Sequence, residues 1–553
     1  MRKVLDIFVS LLILFLIFVN LARFLNFALK IAGFEHDSGW YFGVAANLAL
    51  HGKYASYTNP VIEGETSGIV VNKWNRPSII DQEDLEFFPS GVSVGPAFLI
   101  PVASFVRFFG VGYWQFRLFP ILTYFLLLGL SIWLVIRFSG KFGIIFLLVF
   151  LNLFPQLAIP IAFESFAEPT GLFYLLLGAT LLDLSLKLKQ KQENLIFLAG
   201  IFFSFSLLTK TLYLFGFLAA VLLYSGLLFR GFDWRKKIIK LVYLVAGFLL
   251  PILLFEIYCL VVLTRIAGVF AYLANLSSHL IVFVSAGSGL GENPTSLKDK
   301  FKVFSEIGFS SWQKVALLFC SLLFLFYLDY RKDKKKRSFL LELLLIYWLI
   351  NSCWFLFLNS TGWARHFWPG LFLAVIFMAS FMGNVFFNFF LKKNWQALAV
   401  ILLFLVIIFQ PASLGLIFKA GLPENLTAFW RDKYFEQMPQ GLPLPIFSLV
   451  KQKEAVDFIK KEIPPKGKIY YLGNLLVAEI PPLVDRVFYE VTRAHQANSE
   501  LNYVIFGPYQ VSLDWRIISQ QSYLDQVKKF CQKELFDNDY YKVCLLGGIS
   551  SNR

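Results

Sequence analysis

The sequence predicts a mainly α, polytopic helical membrane protein of about eleven spans, followed by a small C-terminal extracytoplasmic α/β domain. Three observations predict it. Of 553 residues, 57% are apolar, 18% aromatic and only 16% charged, against roughly 25% charged in a soluble globular domain. Apolar runs recur along most of the chain. The composition then turns polar after the Pro-rich stretch MPQGLPLP at 438–445. Soluble domains stop enlarging a single core near ~250–300 residues, so 64 Phe and a mean hydropathy of +0.64 require lipid as solvent.

Runs near the ~20 residues needed to cross the hydrocarbon fall at 6–32, 116–136, 142–162, 169–186, 195–209, 211–229, 239–263, 313–329, 338–358, 367–390 and 396–418. The first is long enough to span and to serve as its own anchor, with no cleavable leader evident. A further apolar stretch, 92–109, decides the topology, because every later helix reverses if it spans. If it does not, the short cytoplasmic segments around Arg2, Arg137, Lys187, Arg235, the run RKDKKKR at 331–337 and Lys392 hold 20 of the 51 basic residues. If it does, nearly all of them move outside, against the positive-inside bias. The stretch is therefore read as re-entrant or surface-lying, as its Pro96, Pro101 and Arg107 also favour.

This places the N-terminus in the cytoplasm and the C-terminal domain outside a multi-pass cell membrane. Much of the net charge of +15 then signals orientation, not nucleic acid. The expected division is a transmembrane catalytic domain over 1–420 with a long first outer loop at 33–115, a linker at 421–445, and the α/β domain at 446–553. That domain reads as helix 451–463, strand 468–472, strand 502–506, helix 519–534 and strand 541–546. Of the five Cys, Cys259, Cys320 and Cys353 lie in apolar stretches, where a thiol is usually a small hydrophobe. Cys531 and Cys544 are the one pair left to bridge, and spacing alone leaves that open.

Ionisable residues near a membrane are costly and tend to mark function. Four segments bring them to one predicted depth, the outer surface: Asp37 with His36, Glu164 and Glu168, Lys210, and Arg365 with His366. A carboxylate facing cations at a lipid-phosphate depth suits group transfer from a phosphate-linked lipid to an acceptor hydroxyl. The acceptor needs a general base, and the departing phosphate needs positive charge where negative charge develops. Tyr41, Val44, Ala45, Leu48 and Ala49 recur at helical spacing after Asp37, so an interfacial helix would hold it. Bland readings stand beside these: Asp37 as a helix cap, Lys210 as a snorkelling residue, Arg365 as an anchor, Glu168 before Pro169 as a cap. Glu256 is expensive inside a span and either lines the cavity or has a partner. The glycine-rich GSGLGEN at 287–293 reads as a loop.

Asp37, Tyr41, Ala45, Asn47, Leu48 and Gly52, then FFPSG at 87–91, then Gly110, Trp114, Arg117 and Leu118, together resemble the polytopic GT-C glycosyltransferases. The resemblance is strongest at 35–120 and points to the branch of protein O-mannosyltransferases and aminoarabinose transferases. It implies Asp37 as the catalytic acid of the first outer loop, with Glu164 or Glu168 as a second acid where the family often has Asp beside Arg. It also implies Lys210, in Leu208-Thr209-Lys210, and Arg365-His366 as lipid-phosphate ligands. His36, Tyr41, Arg76 and Glu256 are secondary candidates.

The implied activity is inverting transfer of a hexosyl or pentosyl group from a polyprenyl-phosphate donor to a glycan, lipid or protein acceptor. No cofactor is required; a divalent cation bridging Asp37 and Glu164 or Glu168 is the alternative. A transporter or lipid flippase is the rival class. It calls for charges near mid-membrane and paired broken helices, whereas the acids here gather at one face.

Overall fold

The computed structural model describes residues 2–26, 28–29, 33–34, 36–59, 68–72, 75–153, 167–188, 192–228, 234–288, 296–297, 338–359, 364–392, 448–472, 477–491, 502–507, 525, 527–538 and 540–546. Nine of the eleven expected spans fall on helices there. These are α1 (Arg2–Asn26), α4 (Tyr113–Ser139), α5 (Lys141–Leu153), α6 (Glu168–Ser185), α7 (Gln192–Thr209), α8 (Leu214–Leu228), α9 (Trp234–Ala267), α11 (Phe339–Cys353) and α12 (Trp368–Lys392). The other two, 313–329 and 396–418, lie outside the described residues, as does the linker.

Five of these helical stretches are long and apolar enough to cross a membrane: Tyr113–Ser139, Gln192–Thr209, Ile238–Ala267, Phe339–Leu358 and Trp368–Phe386. In lipid the backbone must bond within its own segment, which makes such runs helical. Close approach of small residues then packs them. A Cβ on Gly200 of α7 would stand 2.2 Å from the Leu244 carbonyl oxygen, and one on Gly247 of α9 would stand 2.1 Å from that of Phe197. Large residues at either place would prise α7 and α9 apart. At another point of the bundle, Asp183 of α6 receives Arg137 of α4 at 2.7 Å and Lys187 at 2.6 Å. Two loops expected on one side of the membrane thus meet at one end of the bundle.

Between α1 and α4 the chain forms α2 (His36–His51), five short strands and α3 (Pro96–Phe109). Fourteen residues of α3 rise only about 21 Å, too little to cross ~30 Å of hydrocarbon. Phe98, Leu99, Val102, Ala103 and Val106 are buried while Phe108 and Phe109 are exposed, a two-faced helix. The strands β1 (Ala55–Ser56), β5 (Glu86–Phe87), β4 (Pro77–Ile80) and β3 (Gly68–Val71) make an antiparallel sheet in that order. A further helix, α10 (Val269–Ser288), follows α9 after Gly268, whose φ is +80°. It lies where no span was expected, and of GSGLGEN only the leading Gly287 and Ser288 are described, as its last turn.

The C-terminal unit has α13 (Leu449–Glu462), β6 (Lys468–Tyr471), the short α14 (Pro481–Val484), β7 (Phe488–Glu490), β8 (Asn502–Phe506), β9 (Cys531–Asp537) and β10 (Lys542–Leu546). Ser448 caps α13 by accepting from the Lys451 amide at 3.4 Å. The expected helix 519–534 is helical at the described residues 525 and 527–530, but its end is corrected: residues 531–537 are a strand. Antiparallel pairing with β10 and a Cys531–Cys544 disulfide override the polar periodicity, and Asn538 Oδ1 closes the turn on the amides of Tyr540 and Tyr541 at 3.2 and 2.8 Å. Strand β7 was not anticipated.

The six-stranded sheet runs β2-β7-β6-β8-β10-β9. Its first strand, β2 (Thr58–Asn59), belongs to the first loop and pairs parallel with β7. The division at 420 that composition suggested is therefore bridged by a shared sheet.

Candidate functional site

Asp37 stands in the first turn of α2, half-buried, where the helix dipole favours a carboxylate. The helix begins at His36, so the acid sits within the first turn and not ahead of it as a cap. Four contacts fix the turn that follows. A Cβ on Gly39 would stand 2.2 Å from Glu479 Cα, so the helix lies directly on the backbone of the C-terminal unit. Trp40 Nε1 donates to Ser56 Oγ at 2.9 Å, and a Cβ on Gly91 would meet the Trp40 ring at 2.6 Å. The Tyr41 hydroxyl lies 2.8 Å from Ser93 Oγ.

The segment 91–95 continues from α2 to the expected phosphate ligand. The Gly95 amide donates to the Thr209 carbonyl at 3.0 Å, and a Cβ there would stand 2.2 Å from the Leu208 carbonyl oxygen. Lys210 follows in extended conformation. Its ammonium donates to Glu168 Oε1, and the two side chains are 8% and 0% exposed. This excludes a snorkelling Lys210. Glu168, first residue of α6 after Ala167 in the left-handed region, has its carbonyl bonded by the Tyr213 hydroxyl. Ser206 Oγ donates to the Gly171 carbonyl at 2.6 Å, tying the start of α6 to the end of α7. Two residues expected separately, one for phosphate and one for acceptor or sugar, are thus one buried ion pair.

His366 stands in an aromatic cluster with Trp354 and Phe215. Phe215 meets Trp354 with ring centroids 5.9 Å apart, and Trp354 meets His366 at 6.3 Å. The Asn359 amide nitrogen lies 3.0 Å from His366 Nδ1. Glu164 and the side chains of His36 and Arg365 fall outside the described residues.

Arg76 and Glu256 make other contacts. Arg76 directly precedes β4, near Glu86, and is partly desolvated. Glu86 is buried; its Oε1 accepts from Ser78 Oγ at 2.6 Å, and burial pushes its carboxyl up to about 7 despite the Ser78 bond and the Arg76 charge. Glu256 accepts from the Tyr272 hydroxyl at 2.8 Å, the partner that an acid in a span requires. Helix α10, which carries Tyr272, also latches the first loop. Asn275 Nδ2 donates to the Phe88 carbonyl at 3.0 Å, and Ser278 Oγ donates to Ser90 Oγ at 2.8 Å.

Sequence reasoning missed a supporting role for Arg117. Fully buried in α4, it donates to the Ala28 carbonyl at 2.6 Å and the Gly33 carbonyl at 2.8 Å, with its cation 5.2 Å from the Phe34 ring centre. A charge within an apolar helix was the available signal. Gln452 and Glu479, in the C-terminal unit, gave none. Among the described residues no group of three or more His, Cys, Asp or Glu is placed to hold a metal ion.

No family model matches the sequence, and no curated protein matches it. Among solved structures the chain is similar to ArnT from Cupriavidus metallidurans in the apo state, at 14% identity and TM-score 0.52, covering 96% of this chain and 97% of that one. It is similar to ArnT bound to undecaprenyl phosphate at 14% identity and TM-score 0.51, with the same coverage of both chains. The apo oligosaccharyltransferase of Archaeoglobus fulgidus matches at 13% identity and TM-score 0.48, over 90% of this chain and 69% of that one. The chain thus shares its overall fold with these ArnT structures.

Proposed function

From that fold and the arrangement around 91–95, we propose that the protein is an integral-membrane glycosyltransferase using a polyprenyl-phosphate sugar. The observation that carries the reading is the bridge from the Asp37 helix to the Lys210–Glu168 pair through Tyr41–Ser93 and Gly95–Thr209. It joins an acid to a buried cation across one short segment. ArnT, with the same fold, has been solved with undecaprenyl phosphate bound.

In this reading the acceptor oxygen attacks the anomeric carbon and its proton passes to the Asp37 carboxylate. The bond from that carbon to the phosphate oxygen breaks, and the electron pair leaves on polyprenyl phosphate. Lys210, with Arg365 and His366, meets the charge that develops there. Glu168 holds the Lys210 ammonium in place, a change from the orienting role expected for it; Glu164 retains that role. A single base gives single displacement and inversion. The acceptor is a glycan, lipid or protein on the outer face, with the N-terminus cytoplasmic and the C-terminal unit outside. A divalent cation between Asp37 and Glu168 fits poorly, because the Glu168 carboxylate is engaged by Lys210.

The test is release of polyprenyl phosphate from a panel of lipid-linked sugars by purified wild type and Asp37→Asn. The Asn variant should fall to background while keeping its melting temperature. Full turnover by it removes Asp37 as the base.

A further inference from the structure

We infer that Gln452 of the C-terminal unit is a positioning residue for Asp37, a reading that rests on the glycosyl-transfer function proposed above. The Phe34 amide donates to Gln452 Oε1 at 2.8 Å, and Gln452 Nε2 donates to the Phe34 carbonyl at 2.6 Å. The groups are buried and 418 residues apart in sequence. A primary amide carries the donor and acceptor of a peptide group, so it holds Phe34, which lies between α1 and α2, as a neighbouring strand would. One bond would leave the segment free to pivot; two fix its direction.

The approach depends on what surrounds it. A Cβ on Gly33 would stand 2.6 Å from Gln452 Oε1, so only glycine admits the amide there. From the bundle side Arg117 takes the Gly33 carbonyl. The Phe34 ring packs among Phe42, Tyr113 and Phe116, with centroids 5.0, 4.8 and 5.6 Å away. Helix α13 is itself anchored, since Asn538 Nδ2 donates to the Lys451 carbonyl at 3.0 Å and to Glu454 at 2.8 Å.

Asp37 is therefore bracketed. Phe34, three residues before it, is clamped by Gln452, and Gly39, two residues after it, rests on the backbone of Ala478 and Glu479. The first turn of α2 takes its place from the C-terminal unit as much as from the bundle. A misplacement of about 1 Å at a reacting group can cost on the order of 10²-fold in rate, so loosening one bracket should act on turnover.

The experiment uses the full chain. Gln452→Met keeps length and removes the amide; Arg486→Ala is the control, because Arg486 binds the carbonyls of Ile463 and Pro464 within the C-terminal unit. The expected result is a kcat for Gln452→Met lower by roughly 10- to 100-fold, with the KM for the polyprenyl-phosphate sugar little changed. Arg486→Ala should lose stability without that loss of kcat. A second readout needs no activity: the rate at which a water-soluble maleimide labels Asp37→Cys, in a chain with Cys259, Cys320 and Cys353 replaced by Ser. Adding Gln452→Met should change that rate several-fold, and adding Arg486→Ala should not.

If wild type releases no polyprenyl phosphate, the functional reading fails and the labelling rate alone decides the role of Gln452. Unchanged labelling in Gln452→Met overturns the inference. So does a kcat loss that Arg486→Ala reproduces at the same melting temperature.

Discussion

Replacing Lys210 by Met removes the ammonium that pairs with the buried Glu168 carboxylate. Both side chains are almost wholly inaccessible, so the ammonium cannot be replaced by bulk water. Breaking a buried pair from one side costs about 3–5 kcal/mol, whereas exchanging both partners for apolar residues of similar volume is often neutral or better. The neighbouring tie from Tyr213 goes to the Glu168 carbonyl, and that from Ser206 goes to the Gly171 carbonyl. Both survive a change of the Glu168 side chain. Lys210→Met should therefore lower the melting temperature in detergent by several degrees, and Lys210→Met with Glu168→Leu should regain most of it. Turnover should separate from stability. Removing one group that stabilises developing charge costs on the order of 10²–10³-fold, so the double variant should remain inactive in phosphate release despite its recovered fold. A single variant as stable as wild type refutes the buried pair. A double variant with restored turnover refutes the part given to Lys210 in handling phosphate.

Three further outcomes follow from other contacts. Because burial raises the Glu86 carboxyl from 4.5 to about 7, the folded state favours its protonated form; that stabilisation is complete below about 4.5 and lost as pH rises through about 7. Relative to Glu86→Gln, wild type should lose on the order of 3 kcal/mol across that window, and parallel melting curves from pH 4.5 to 8 would contradict it. Gly95→Ala drives a methyl group into the Leu208 carbonyl and should destabilise by about 1–3 kcal/mol. Gly129→Ala, in α4 with open space around it, should gain about 0.5–1 kcal/mol; equal melting temperatures for the two would sink the comparison. Reducing Cys531–Cys544, which spans 13 residues, should cost roughly 3 kcal/mol of loop-closure entropy, read as earlier proteolysis of the C-terminal unit with the helix bundle intact.

The parts legible in the sequence are those where lipid imposes one answer. Runs such as 116–136 and 239–263 have no alternative to a helix, and the apolar part of 92–109 forms a helix of only 14 residues. Glu168 and Lys210 stood out for the same reason, as rare charges in an apolar setting. Their pairing did not, because 42 residues separate them and nothing local ties one to the other. Thr58–Asn59 is too short for any periodicity, so its pairing with β7 left no trace. Gln452 looked like any polar residue of an amphipathic helix; its meaning comes from Phe34. The misassigned 531–534 shows the same limit, since alternate polar side chains on an edge strand satisfy a helical pattern until a partner strand and a disulfide decide.

The pairing of β2 with β7 also has a consequence in time. Residues 58 and 488 are separated by about 430 positions, which a ribosome adding roughly 5–20 residues per second covers in about 20–90 s. Throughout that interval the spans can enter the membrane in order, while Thr58–Asn59 waits for its neighbour and Phe34 for its amide. The acid is thus among the first parts made and the last to be seated. A chain cut short before 448 would lack both partners, so the turn that carries Asp37 takes its final place only when the last segment arrives.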